Sequence, residues 1–355
     1  MIVTFSRSPN LPGRRPRTVL LAAALGLLSG SGSGSGSGDE AAQPAASVYS
    51  RGGRSAAATA RLATAAQAAA IEESGPPPAD PGAAAQAERI VASSLAVIGR
   101  AESLSIKLRQ RVRIDDRVLV GTGRYLQAGR GEEQRFRFET TLTCESRAFG
   151  IEPEAFEVTE VSDGLYCWLH QRNGPDPPLL HRVDVQRVRG RLTELAVADP
   201  NDTAPYLGGL QRTLWWIRQW FRFGAAVPGE IDGRPVWVVE GHWPSVTLVS
   251  MLPQLAAADK RPGGLQPQDL PDGMPWVARL AINQSDLLPQ RLEYLALPGD
   301  RPVSAGPLQV IMAIDFLEIE VDAPVDATAF YYQPASEELI DLTGVVLKTM
   351  TPMRP

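Results

Sequence analysis

Leu308 to Pro334 reads LQVIMAIDFLEIEVDAPVDATAFYYQP, and this stretch decides the fold class. Val310, Met312, Ile314 and Phe316 alternate with Ile311, Ala313, Asp315, Leu317, Ile319 and Val321. A period of two with β-branched residues is the pattern of a sheet strand. Both sets are mainly apolar, which predicts helices over one face and partial burial of the other. Asp322-Ala323-Pro324 stops the ladder, because proline has no N–H to donate. Phe330, Tyr331 and Tyr332 are expected to resume it before Pro334 ends it.

Upstream, the same alternation recurs between turn signals. Ser162-Asp163-Gly164 separates Phe156 to Val161 from Leu165 to His170, and Asp232-Gly233 separates Ala226 to Ile231 from Pro235 to Glu240. Asp-Gly between alternating runs is a strong hairpin signal. Asn283 to Asp286 turns between Trp276 to Ile282 and Leu288 to Leu297. Ser105 to Gln127 sets Ile106, Leu108, Val112 and Ile114 against Lys107, Arg109, Arg111 and Arg113, with a turn at Asp115-Asp116. The row of cations reads as an anion site or as a solvated face, and the solvated face is the expectation. Gln134 to Cys144 continues with Phe136 and Phe138 against Arg135, Arg137 and Glu139, and His181 to Arg191 reads as a further basic strand. The order is an up-and-down meander, not a βαβ series.

Two stretches read as helices. Ala83 to Leu104 places Ala87, Ile90, Val91, Leu95, Ile98 and Leu104 on one stripe suited to packing on a sheet. Leu207 to Phe223 reads LGGLQRTLWWIRQWFRF, with Asn201, Asp202 and Thr203 offering a cap upstream. Leu210, Leu214, Ile217 and Phe221 form one stripe; Trp216, Trp220 and Phe223 form its neighbour; Arg212, Arg218 and Arg222 fall nearer the opposite side. Such a helix can lie at a membrane surface. It can also cover a sheet, with arginine stems wrapping the edge. Strands resume at once, which favours the cover. Leu255 to Gly273 reads as a polar, Pro/Gly-rich loop near the rim, and residues 344–355 as a loose tail.

Composition excludes several classes. The 355 residues carry a formal charge of −5, so no basic surplus exists to neutralise phosphates and no nucleic-acid partner is expected. Three histidines (His170, His181, His242) and two cysteines (Cys144, Cys167) are too scattered for a zinc motif. No metal and no cofactor are expected. The meander puts one strand between the two cysteines, roughly 9–10 Å apart, whereas a disulfide needs Cα atoms about 4.4–6.8 Å apart. They are expected to be unbridged.

Arg14, Arg15 and Arg17 precede the apolar run Thr18 to Leu28, the pattern of an export signal. A serine stands in Leu27-Leu28-Ser29-Gly30-Ser31 where a bacterial lipoprotein signal would carry cysteine, so no lipid anchor is expected. The domain reading is an export signal over 1–30, a Gly/Ser/Ala/Pro tether over 31–82 that lacks the apolar surface to fold, and a folded domain over 83–343. The expected location is the periplasm or cell envelope.

Several stretches carry a family resemblance. Arg89-Ile90-Val91 through Arg113, Val161-Ser162-Asp163-Gly164-Leu165-Tyr166-Cys167-Trp168, Leu288-Pro289-Gln290-Arg291-Leu292-Glu293-Tyr294, and Ile314-Asp315-Phe316 followed by Ala329 to Pro334 resemble the periplasmic lipoprotein-carrier superfamily of LolA-like and LolB-like proteins. The resemblance covers about residues 83 to 343. It implies a mainly β, α+β fold: a strongly curved, incomplete antiparallel β-barrel covered by lid helices, around an apolar cavity that shields acyl chains. The implied function is a non-catalytic envelope protein that binds lipid or acyl chains, as a carrier of lipid or acylated protein, with a membrane surface as a further partner. The alternative is a sensor or assembly module that uses the same fold to bind a protein.

The candidate ligand-binding residues are Trp216, Trp220 and Phe223 from the helical stretch, with Phe136, Phe138, Trp237 and Phe316 from the sheet. An enzyme is the third class. Asp163, His170 and His181 would be its acid-base groups, but no nucleophile elbow, metal motif or phosphate loop accompanies them.

Overall fold

A computed structural model describes residues 2–3, 21–22, 80–114, 117–144, 155–195, 208–298, 307–334 and 339–350. The export signal and tether lie outside the described residues, apart from a two-residue ladder between Ile2–Val3 and Leu21–Ala22 and residues 80–82, which open the first helix.

Twelve strands form one sheet. In chain order they are β1 Ser103–Ile114, β2 Arg117–Ala128, β3 Arg135–Cys144, β4 Ala155–Ser162, β5 Tyr166–Asn173, β6 Leu179–Asp184, β7 Arg222–Ile231, β8 Arg234–His242, β9 Val277–Asn283, β10 Pro289–Ala296, β11 Gln309–Val321 and β12 Leu339–Asp341. Across the sheet the order is β12-β6-β5-β4-β3-β2-β1-β11-β10-β9-β8-β7. β12 pairs parallel to β6; the other described pairs are antiparallel. The stretch quoted first is therefore the seam. β11 joins the N-terminal meander, through β1, to the C-terminal meander, through β10. Neighbouring strands twist by about 20–25°, and a sheet beyond about ten strands curls or splits. This one is a curved, open barrel whose edges are β12 and β7.

Hairpin chemistry fixes the register. Asp163 Oδ1 accepts from the backbone N–H of Leu165 and of Tyr166, and Asn283 Oδ1 accepts from Ser285 N–H. The register then sends Ile106, Tyr125, Phe138 and Glu160 to one face, and Met312, Ile314 and Phe316 to the same inner face of β11.

Six α-helices are described. α1, Pro81–Arg100, starts where Asp80 accepts from Gly82 N–H and buries Ala87, Val91, Leu95 and Ile98. α2, Val185–Glu194, occupies residues expected as a basic strand. Asp184 caps it, and Val185, Val188 and Leu192 recur at helical, not alternating, spacing. α3 is Gly209–Trp220. α4 Ser245–Met251 and α5 Ala256–Asp259 follow β8. α6, Thr343–Thr349, is built from residues expected as the start of the tail, and Met350 after it is buried in the core. Among the described residues no helix is long and apolar enough to cross a membrane.

Three further expectations are corrected. Phe330 to Tyr332 do not resume a strand: Ala327–Phe330 is a 3-10 turn capped by Asp326, and Phe330 is buried. From there the chain crosses the outer face, where Arg137 Nη1 donates to Ala329 O and Trp168 meets Tyr332 at 5.8 Å. Leu255 to Gly273, expected as a polar loop near the rim, is anchored inside, because Leu255, Leu265 and Leu270, with Met274 just beyond, join the core. The cysteines are free, with β4 between their strands, but they are much farther apart than two strand spacings. Cys167 is in register with Ser162, itself opposite Phe136, so Cys144 lies at the far end of β3, about 27 Å along the strand at roughly 3.4 Å per residue.

The basic row on β1 faces outward. Lys107 pairs with Glu318 and Arg109 with Asp315, which also meets Arg291. Arg279 bridges Glu240 and Glu293 on the same face. These are partly exposed ion pairs, each contributing about 0–1 kcal/mol.

Candidate functional site: the space beneath helix α3

α3 lies over the inner face of the sheet and runs directly into β7 through Phe221. Its first turns are buried on every side: Leu210, Gln211, Arg212, Thr213, Leu214 and Trp215 are all inside. Gly208 and Gly209, at φ 101° and 74°, start the helix in the left-handed region, which glycine enters without steric penalty. A Cβ on Gly209 would stand 2.9 Å from the Tyr125 hydroxyl, so the helix start seats directly on the sheet.

Under these turns lies a cavity of about 20 Å³. Leu108, Tyr125, Phe138, Ile314 and Phe316 line it from the four adjacent strands β1, β2, β3 and β11, and Leu210 and Thr213 line it from α3. The lining is apolar, and the room suits roughly one water-sized group. A pocket that holds a ligand encloses about 300–1,000 Å³, so the space as it stands is too small for one.

Behind the wall made by Tyr125, Phe138 and Leu210 sits a polar cluster. Arg212 Nη2 donates to Glu160 Oε1 at 2.6 Å, and the two side chains are 2% and 0% exposed. Cys167 Sγ donates to the same oxygen at 3.5 Å. The Tyr125 hydroxyl donates to Gln127 Oε1 at 2.8 Å, and Gln127 Nε2 donates to Ile98 O at the end of α1 at 3.0 Å. Among the described residues, Glu160 Oε2 and Arg212 Nε have no partner. Burial pushes both the Tyr125 hydroxyl and the Cys167 thiol well up, and the Glu160 charge adds to each shift, so both stay protonated donors.

The other end of α3 is aromatic. Ring centroids run Trp215–Trp216 5.0 Å, Trp216–Trp220 4.4 Å, Trp220–Trp243 5.7 Å, Phe221–Trp243 4.5 Å and Phe221–Tyr294 6.4 Å. Trp243 Nε1 donates to Pro275 O at 2.7 Å. Arg218 Nε donates to Glu88 of α1 at 2.9 Å.

The chain was compared with known proteins. No family model matches it, and no curated protein matches it. Solved structures do. The chain is similar to the complex structure of Pseudomonas aeruginosa MucA/MucB, at 10% identity and a TM-score of 0.33, over 70% of this chain and 61% of that one. It is similar to a putative outer membrane lipoprotein-sorting protein domain from Vibrio parahaemolyticus, at 9% identity and a TM-score of 0.27, over 70% and 97% of the two chains. It is also similar to the Mycobacterium tuberculosis lipoprotein LppX, at 12% identity and a TM-score of 0.29, over 68% and 98%.

The seven candidate ligand-binding residues do not fall together. Phe138 and Phe316 line the cavity. Phe136 is buried beside it, stacked at 6.4 Å on Tyr125. Trp216 and Trp220 belong to the ring stack at the C-terminal end of α3. Phe223 lies on β7 rather than on the helix, which ends at Trp220. It is buried in the core. Trp237 is half-buried on β8 between Pro228 and Ile282, away from the cavity. Asp163, His170 and His181 do not converge: Asp163 caps its hairpin, and His181 pairs with Leu169 while His170 pairs with Leu180, which puts the two rings on opposite faces.

The sequence reading placed Arg212 near the polar side of α3 and did not single out Glu160. One signal was available: Glu160 shares its strand parity with Phe156 and Val158, so an inward strand face carries an acid that must find a buried partner.

Proposed function

We propose that this chain is a non-catalytic cell-envelope protein that takes an acyl chain or lipid into the apolar space beneath α3, as a carrier of lipid or acylated protein. The observation that carries the reading is the apolar cavity between the first turns of α3 and four adjacent strands. Leu248 of α4 and Leu255, Leu265 and Leu270 after it join the same apolar core. Phe138 and Phe316 are the first contacts proposed for the chain, with Phe136, Trp216, Trp220, Phe223 and Trp237 reached as the space widens. Binding needs α3 to lift, because the closed cavity of about 20 Å³ holds no acyl chain.

Extraction and mass spectrometry of gently purified protein should recover a lipid in near-equimolar amount, and a fluorescent acyl probe should bind one-to-one and quench α3 tryptophan emission. Absence of both would remove the reading. The second reading, a sensor or assembly module that binds a protein partner, is favoured by the same small cavity: an interior filled by side chains leaves the surface to do the binding.

A further inference from the structure

Among the described ion pairs, Arg212–Glu160 is the one with both partners fully buried. A buried pair adds little to stability over apolar residues of the same size, while loss of one partner is strongly destabilising. This pair is also under-made. Among the described residues it has a single contact, from Nη2 to Oε1, and Arg212 Nε and Glu160 Oε2 have no partner. A guanidinium grips a carboxylate or phosphate best through two parallel N–H donors, and Arg212 keeps one of them idle.

Its place is specific. Arg212 shares the first turns of α3 with Leu210 and Thr213, which line the cavity, and Glu160 is in register with Phe138, which also lines it. The C-terminal end of α3 is continuous with β7, so an opening that turns about that end lifts the first turns and their cavity-lining residues.

We infer that Arg212 is the receptor for an anionic lipid headgroup, a carboxylate or a phosphate, and that Glu160 is its internal stand-in while α3 is closed. This rests on the acyl-binding reading above and adds the headgroup class. Lifting the first turns of α3 separates the pair. The incoming anion takes Nε and Nη2 together, its tail lies over Phe138 and Phe316, and Glu160 meets the water that the opening admits. A neutral headgroup supplies no replacement for Glu160, so the pair holds the helix shut against it.

The test displaces a fluorescent acyl probe from the full chain with dodecanoate, dodecyl phosphate or dodecanol at one ionic strength. Both anions should bind at least about tenfold tighter than the alcohol, the range of a charge-assisted pair, and the tighter of the two names the headgroup. Glu160→Gln removes the latch but keeps Arg212, so it should raise the affinity for anions and alcohol alike by several-fold and preserve the anion preference. Because Arg212→Met alone strands Glu160 and can unfold the chain, the double variant Glu160→Leu/Arg212→Met serves as the folded control and should bind all three compounds alike. Dodecanol binding as tightly as the anions to the wild type, or an anion preference that survives in the double variant, would overturn the inference and leave the acyl-binding reading intact. Failure of all three compounds to displace the probe, or of the probe to bind, would overturn both.

Discussion

At its first turns α3 is held by the buried Arg212–Glu160 pair and by glycines seated on Tyr125 and Phe136; at its last turn it is held by rings stacked from Trp216 to Tyr294. Ring packing is a sum of many weak contacts that can slide and re-form. A buried ion pair is close to all-or-none, since separating it in a dry interior leaves two uncompensated charges. The two ends therefore differ in how they yield. The aromatic end deforms gradually and stays attached to β7, whereas the polar end stays shut until something replaces one partner. The cavity lies under the polar end.

The largest effect should come from breaking that end one partner at a time. Arg212→Ala should destabilise the chain by about 3–5 kcal/mol, because it strands Glu160 in the core. Glu160→Leu/Arg212→Met should stand within about 1 kcal/mol of the wild type or above it. Chemical denaturation midpoints with matched slopes would read both values. A single variant as stable as the double would break the contrast between the ends.

At the aromatic end, Trp220→Ala should cost about 1–3 kcal/mol, from lost burial and ring contact. Because the acyl chain reaches Trp220 only as the space widens, the affinity for an acyl probe should fall by a few-fold at most while the melting temperature falls. A weakened affinity at unchanged stability would move the entry route toward the tryptophans.

Much of this contrast was hidden from the sequence for physical reasons. The alternation in β11, the Asp-Gly hairpins and the apolar stripe of α1 were legible because local period and turn chemistry determine them. The ring stack was half legible: Trp216 and Trp220 sit four apart on one helical side, but Trp243 and Tyr294 reach them only through tertiary contact. The Arg212–Glu160 pair joins residues 52 positions apart; strand parity turns Glu160 inward, but nothing local names Arg212 as its partner. The same applies to Leu255, Leu265 and Leu270, which are buried from an irregular stretch with no period to announce them. At His181 to Arg191 the abundance of cations masked the three-and-four spacing of Val185, Val188 and Leu192.

A smaller effect is expected at an exposed ion pair, which calibrates the buried one. Asp341 on β12 is held by Thr343 and Arg182, and these hydrogen bonds lower its carboxyl pKa from 3.8 to about 2. A depressed carboxyl contributes stability that is complete above pH 3.8 and is lost as pH falls toward 2. Because solvent screens the pair, Asp341→Asn should cost well under about 1 kcal/mol near neutral pH. Denaturation midpoints of variant and wild type should converge in acid; a gap that persists below pH 2 would show that the side chain acts through packing instead of charge.

The central claim, that the space beneath the first turns of α3 receives an acyl chain, is tested most directly by where a bound chain lies. Dodecanoate carrying a photoreactive diazirine on its tail would be cross-linked to the full chain, and the adducts mapped by peptide mass spectrometry with unlabelled dodecanoate as competitor. Saturable adducts are expected on Leu108, Phe138, Leu210, Ile314 and Phe316, lost under competition. Adducts confined to exposed apolar groups such as Leu165, Val246 and Tyr331, or adducts that unlabelled dodecanoate does not displace, would contradict it.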